Sequence, residues 1–122
     1  KGTNTILMDA YNANPSSMEV ALLNFFFFLA ENKLVILGDM LELGTESEKE
    51  HQHIADLVMK IKNAKAILVG PLFKKIDNKI NALQFADSKE ASAYFSNQSI
   101  QHSTILIKGS RGIKLEGILE VL

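Results

Sequence analysis

The sequence predicts an α/β fold: three layers, with a mostly parallel sheet of about five or six strands flanked by helices. Apolar runs of strand length alternate with helix-length amphipathic stretches, the arrangement of repeated βαβ units. The strand-like runs are continuously rich in Ile, Leu and Val, as expected of strands buried on both faces. Size agrees, because 122 residues, 47% of them hydrophobic and 22% charged, suffice for one compact domain with its own core.

Each element has its own justification. The run Thr5-Ile6-Leu7-Met8 opens a strand over residues 5–9, and Met18, Leu22, Phe25 and Leu29 recur at helical spacing over residues 16–31. Within that helix the stretch from Val20 to Leu29 is the most apolar in the chain. It falls below the ~18 residues of a membrane span and is flanked by Glu19 and Glu31, so it reads as a buried helix. Residues 33–37 form the second strand. A helix over 46–61 follows, with His53 or Ile54, Leu57, Val58 and Ile61 on one face. Strands are expected at 66–69, 82–85 and 104–107. A helix over 88–97 starts from Asp87 or Ser88 as cap and lines up Ala91, Tyr94 and Phe95; residues 114–122 form the last helix. No internal repeat, low-complexity tract or long linker interrupts this Rossmann-like alternation.

Composition excludes several functions. Thirteen Lys and Arg against 14 acids leave a formal charge of -1, which gives no net attraction to nucleic acid or an anionic membrane. The absence of cysteine removes disulfides, thiolate metal sites and thiol nucleophiles, and fits the cytoplasm. Lys1-Gly2-Thr3-Asn4 leads straight into a strand rather than an apolar leader, and the missing initiator Met leads to the expectation of a fragment.

In an open parallel sheet, ligands bind outside the carboxyl ends of the strands. That rule selects three loops: Asp9-Ala10-Tyr11-Asn12-Ala13-Asn14-Pro15, Gly38-Asp39-Met40-Leu41-Glu42-Leu43-Gly44, and Lys108-Gly109-Ser110-Arg111-Gly112. The first crowds polar and turn-forming residues behind an apolar strand, although Asn and Pro also build turns, with Asn14 or Ser16 as the helix cap. In the second, glycines bracket Asp39 and Glu42, which can accept from an ammonium or sit as solvated acids near a helix start. The third gathers Lys108, Ser110 and Arg111 with two glycines, a set suited to phosphate or carboxylate.

Other motifs fail. Gly2-Thr3-Asn4 lacks the ending of a phosphate loop, and no G-x-G-x-x-G follows the first strand. His51 and His53, two apart, diverge on a helix and read as surface or partly packed side chains rather than metal ligands. His102 has no visible partner in the sequence.

The three loops, in order and spacing, resemble the signature loops of the carboxy-terminal domain of the Mur ligase family, in its MurF branch, and the resemblance spans essentially all 122 residues. It implies one domain over residues 1–122 of an ATP-dependent amide ligase. Such enzymes activate the carboxylate of UDP-N-acetylmuramoyl-tripeptide as an acyl phosphate and join it to D-alanyl-D-alanine in peptidoglycan synthesis. The resemblance further implies that ATP and Mg are held mainly by a central domain outside this chain, and that this domain closes over it from a hinge near Lys1. Asp9, Tyr11, Asn12 and Asn14 would then face the nucleotide. Asp39, Glu42, Lys108, Ser110 and Arg111 would face the dipeptide and the acyl phosphate. Related ligases carry an acid beside the tyrosine where this chain has Ala10, leaving Asp9 as the acid there.

Two other classes compete. A free-standing doubly wound regulatory or binding module, such as a phospho-receiver, shares acids after its first strand and a Lys after its last, but needs an acceptor Asp where this chain has Val69-Gly70. An interaction domain using Phe25 to Phe28 as a sticky surface conflicts with the expected burial of that helix.

Overall fold

The computed structural model describes residues 2–9, 12–76 and 82–122. Five strands form one parallel sheet: β1 (Thr5–Asp9), β2 (Lys33–Gly38), β3 (Ala64–Val69), β4 (Leu83–Phe85) and β5 (Thr104–Lys108), in the spatial order β1-β5-β2-β3-β4. The helices are α1 (Pro15–Phe27), α2 (Ser47–Val58), α3 (Pro71–Lys74), α4 (Ser88–Ser96) and α5 (Glu116–Leu119). Single 3₁₀ turns, Gly44–Glu46 and Arg111–Ile113, precede α2 and α5.

Two core clusters cover the two faces of the sheet. Val35, Leu37, Ala66, Leu68 and Leu106 meet α1, α2 and α3. Leu34, Ile36, Ile67, Val69, Ile105 and Ile107 meet α4 and α5. Strand alternation separates the two sets, so the middles of β2, β3 and β5 are continuously apolar because both of their faces are covered. The chain leaving β1 and β2 turns to one face and the chain leaving β5 turns to the other. The carboxyl end of β5 is therefore the switch point of the fold.

The departures from the expected elements have local causes. Strand β1 is an edge and mostly exposed, not buried on both faces, since only β5 pairs with it. Helix α1 stops at Phe27, not at residue 31. The ammonium of Lys33, on the neighbouring strand, donates to the carbonyls of Phe25 (2.9 Å) and Phe26 (3.3 Å), closing the helix end where a cation is favoured. Four consecutive phenylalanines spaced ~100° apart cannot share one stripe. Met18, Leu22 and Phe25 fill the core, while Phe26, Phe27 and Phe28 face outward, Phe27 at 70% exposure. The expectation that the stretch from Val20 to Leu29 is buried thus holds for Leu22 and Phe25 but not for Leu29, which is exposed.

The last helix is shorter than residues 114–122 because Lys114 adopts a left-handed φ of 60°, which separates the 3₁₀ turn from α5. Helix α3 was not expected; Pro71 and Phe73 start it directly after Gly70. On α2 the buried stripe is His51, Ile54, Ala55 and Val58, whereas His53 is exposed.

The cap of α1 is Asn14, not Ser16. Its side chain accepts from Ser17 N–H (2.9 Å) while the Ser17 hydroxyl accepts from Asn14 N–H (3.0 Å), with Pro15 at the first helical position. Replacing Asn14 by Ala should lower stability to chemical denaturation by about 1 kcal/mol, and Asn14→Asp should retain most of it. Equal loss in both variants would show that the amide serves something other than this cap.

Candidate functional site

The parallel register brings the three loops to one rim. Asp9 pairs with Lys108 across β1 and β5, and Leu37 pairs with Lys108 across β2 and β5, so the loops start side by side. Main-chain bonds extend the ladder past the strands: Gly109 N–H donates to Asp9 C=O and Ser110 N–H to Asp39 C=O, each at 3.2 Å. Gly109 permits this closeness, since a β-carbon there would stand 2.9 Å from the Gly38 Cα and 2.6 Å from Leu115 Cδ1.

Side chains complete the junction. The Lys108 ammonium, on a residue only 4% exposed, donates to Asp9 Oδ2 (2.8 Å) and to Asn12 C=O (3.2 Å). The buried Ser110 hydroxyl accepts from Leu41 N–H (3.2 Å) and donates to Ala13 C=O (3.5 Å). Two residues at the end of β5 thereby tie the first loop to the second.

The outward-facing members of the rim are fewer than the sequence indicates. Asp9 keeps 53% of its side chain exposed while pairing with Lys108. Asn12, Glu42 and Arg111 are exposed, with Glu42 at a left-handed φ of 64° and Arg111 opening the 3₁₀ turn after β5. Asn14 is at the rim as the α1 cap, and Tyr11 lies outside the described residues, as do Lys1 and Ala10.

Asp39 departs most from its expected place. It is fully buried, and its two carboxylate oxygens accept from Leu72 N–H and Phe73 N–H, each at 2.8 Å, at the start of α3. Burial pushes its pKa above the usual 3.8, against the opposing effect of these two N–H bonds and of nearby Lys75. Gly70, at φ 125°, makes room for it, because a β-carbon there would overlap the carboxylate.

His51, expected at the surface or partly packed, is fully buried beside Asp39. Its Nδ1 lies 2.7 Å from Ser47 C=O and must carry the proton, since a carbonyl only accepts; its Nε2 accepts from Met40 N–H at 3.0 Å. The ring is thus neutral, and its 4.0 Å separation from Asp39 Oδ1 is not an ion pair. Spacing alone could not find this role, because the partner is a main-chain group eleven residues earlier. Among the described residues, no three His, Cys, Asp or Glu side chains cluster so as to hold a metal.

Residues 1–111 match the family model described as "Mur ligase, glutamate ligase domain". The chain belongs to the Mur ligase family. Its Mur ligase sequence is 36% identical over 119 residues to the UDP-N-acetylmuramoyl-tripeptide--D-alanyl-D-alanine ligase of Rickettsia prowazekii, covering 94% of this chain and 26% of that protein. The Bacillus subtilis ligase of the same name is 32% identical over 128 residues, covering 97% of this chain and 28% of the relative. The chain therefore spans about a quarter of the length of the curated relatives it matches. The Mur ligase fold itself is shared with the crystal structure of MurF ligase from Thermotoga maritima in complex with ADP. That match has a TM-score of 0.81 at 22% identity, covering 99% of this chain and 28% of that one.

Two outcomes test the interior support of this Mur ligase rim. Gly70→Ala should destabilise the protein by about 3 kcal/mol or more, read by denaturant unfolding, because backbone strain and overlap with Asp39 coincide. A raised carboxyl pKa contributes stability that is fully present below the unfolded value of 3.8 and is lost as pH rises through the folded value. The stability of the native protein relative to Asp39→Asn should therefore fall as pH rises from 3.8, whereas a difference that grows would mean that the N–H bonds outweigh burial.

Proposed function

We propose that this chain, read as one domain over residues 1–122, is the carboxy-terminal part of a cytoplasmic ATP-dependent ligase that joins D-alanyl-D-alanine to UDP-N-acetylmuramoyl-tripeptide in peptidoglycan synthesis. It acts by closing over a central nucleotide-binding domain and supplying one wall of the cleft. The observation that carries the reading is the junction at the end of β5, where Lys108 and Ser110 hold the first and second loops together on one rim. Support also comes from relatives bearing that ligase name along nearly the whole of this chain.

The rim's chemistry divides by position. Asp9 and Asn12, with Asn14 and Tyr11 beside them in sequence, form the nucleotide side, where a half-exposed carboxylate and amides suit ribose hydroxyls and phosphate-bound water. Glu42 and Arg111 form the substrate side, the acid toward the dipeptide ammonium and the guanidinium toward its carboxylate or the acyl phosphate. Lys108 and Ser110 act from below: one lends positive charge through Asp9, the other fixes the heights of the loops. Asp39 serves the site as the interior anchor of its loop.

ATP supplies the phosphoryl group that activates the tripeptide carboxylate. The donors on this rim fit the ribose and phosphate edges of such a nucleotide, but the described residues hold no cluster fit for Mg, so no step here runs through the metal. What this domain contributes is orientation and exclusion of water from a reactive acyl phosphate once the cleft shuts. Among the described residues, no helix is long and apolar enough to cross a membrane.

In the full-length ligase, Arg111→Ala should reduce kcat/KM by on the order of 10²-fold, the usual loss for one donor to developing or bound negative charge. Asp9→Ala should reduce it as well, raising KM for ATP more than KM for the dipeptide. Circular dichroism should show an unchanged fold in both. Unaltered kinetics for either variant would remove that residue from the site, and unaltered kinetics for both would sink the assignment of this rim.

A further inference from the structure

The outward phenylalanines border an apolar groove that the ligase reading does not use. It runs between α1 and the end of α2, is lined by Leu22, Leu23, Phe26, Leu57 and Ile61, and has a volume of about 290 Å³. Glu19 and Lys60 also line it, the Glu19 carboxylate lying 3.7 Å from the exposed His53 Nε2 of the same chain. Leu23, Phe26 and Phe27 leave 59%, 42% and 70% of their surfaces exposed, so the groove and its lip form a contiguous apolar patch on the helical layer.

We propose that a second copy of this chain occupies this groove, the two copies pairing face to face about a twofold axis near Leu23 and Phe26. The two ends of the groove carry opposite charges. Helices α1 and α2 both leave the carboxyl rim of the sheet, so Glu19, in the second turn of α1, lies near the rim. Lys60, past the end of α2, lies toward the opposite pole. A twofold axis across the groove brings Glu19 of each copy against Lys60 of the other, twice over, and sets Leu23 of each against Phe27 of the other. Such self-complementarity is what an isologous interface requires.

The alternatives fit the patch less well. A small molecule needs several convergent polar groups to orient it, and the groove offers only Glu19 and Lys60. A membrane surface selects basic borders, whereas here an acid balances the lysine and the whole chain carries -1. A domain meeting the carboxyl rim leaves the Phe26, Lys60 and Ile61 end of the groove open, because that end lies at the other pole of the sheet.

Sedimentation velocity on the full-length protein carrying this chain tests the pairing over roughly three decades of concentration up to about 1 mM, the range in which small interfaces associate. The mass should rise from one chain to two. Phe27→Glu should move the midpoint to at least about tenfold higher concentration, as expected for loss of a central aromatic anchor. Glu19→Lys and Lys60→Glu should each weaken pairing, and the double exchange should restore it. All three positions are surface-exposed, so the fold tolerates the changes. A single-chain mass throughout would overturn the proposal. So would a dimer insensitive to Phe27→Glu, or a double exchange no better than its parents.

Discussion

A buried ammonium must be surrounded by oxygen, and the end of β5 is built around that demand. Lys108 follows three apolar residues into the sheet interior and emerges only far enough to meet Asp9 Oδ2 and Asn12 C=O. Leaving such a cation without partners costs several kcal/mol, so the first loop is held wherever its acceptors must stand. The strand order makes this local requirement general. Because β5 lies between β1 and β2, one side chain at its end and the serine two residues on can reach the loops on both sides. A shift of β5 by one residue would reverse its side chains and dissolve the whole junction.

A second layer of support lies beneath the middle loop. Asp39 receives two N–H groups at the start of α3, His51 receives Met40 N–H, and the His51 ring meets Phe73 edge-on with centroids 4.6 Å apart. The loop that presents Glu42 is therefore fastened from inside by neutral and ionised acceptors of main-chain donors rather than by apolar contact alone. Such acceptors fix direction as well as distance, which apolar packing does poorly. This arrangement also explains why the left-handed backbone at Glu42 is tolerated: the two residues before it, Met40 and Leu41, are pinned.

The sheet was legible in the sequence because its central strands need apolar residues on both faces and recur as short runs of Ile, Leu and Val. The meeting of the three loops was legible too, from the carboxyl-end rule together with glycines at 38 and 109. Three features resisted. The run Phe25 to Phe28 reads as buried by hydropathy, but helical geometry turns Phe26 and Phe27 away from the face that Phe25 buries, and Phe28 lies past the helix end in extended backbone. Helix α3 is a single turn whose start is fixed by Asp39, a residue more than thirty positions earlier, so no local pattern could announce it. Asp39 itself carries the chemistry of a ligand residue in the position of one. Only the fold reveals that main-chain donors of α3 reach it first.

That last confusion has a physical root. Polar residues at strand ends serve two masters, because the groups that could bind a ligand are the same groups that the loops need in order to hold their shape. In this rim the division follows depth. Lys108, Ser110 and Asp39 lie inside with their hydrogen bonds directed to the protein, while Asn12, Glu42 and Arg111 face outward. Asp9 belongs to both sets, since one of its oxygens meets Lys108 while half of its side chain remains exposed. A substitution at Asp9 therefore removes a possible ligand contact and also takes an acceptor from a buried cation, and its effects on binding and on loop position cannot be separated by that change alone. Arg111 opens the 3₁₀ turn after β5 with its side chain at the surface. The two positions thus report on different things: Arg111 on the charge presented to the cleft, and Asp9 on the coupling between that charge and the framework behind it.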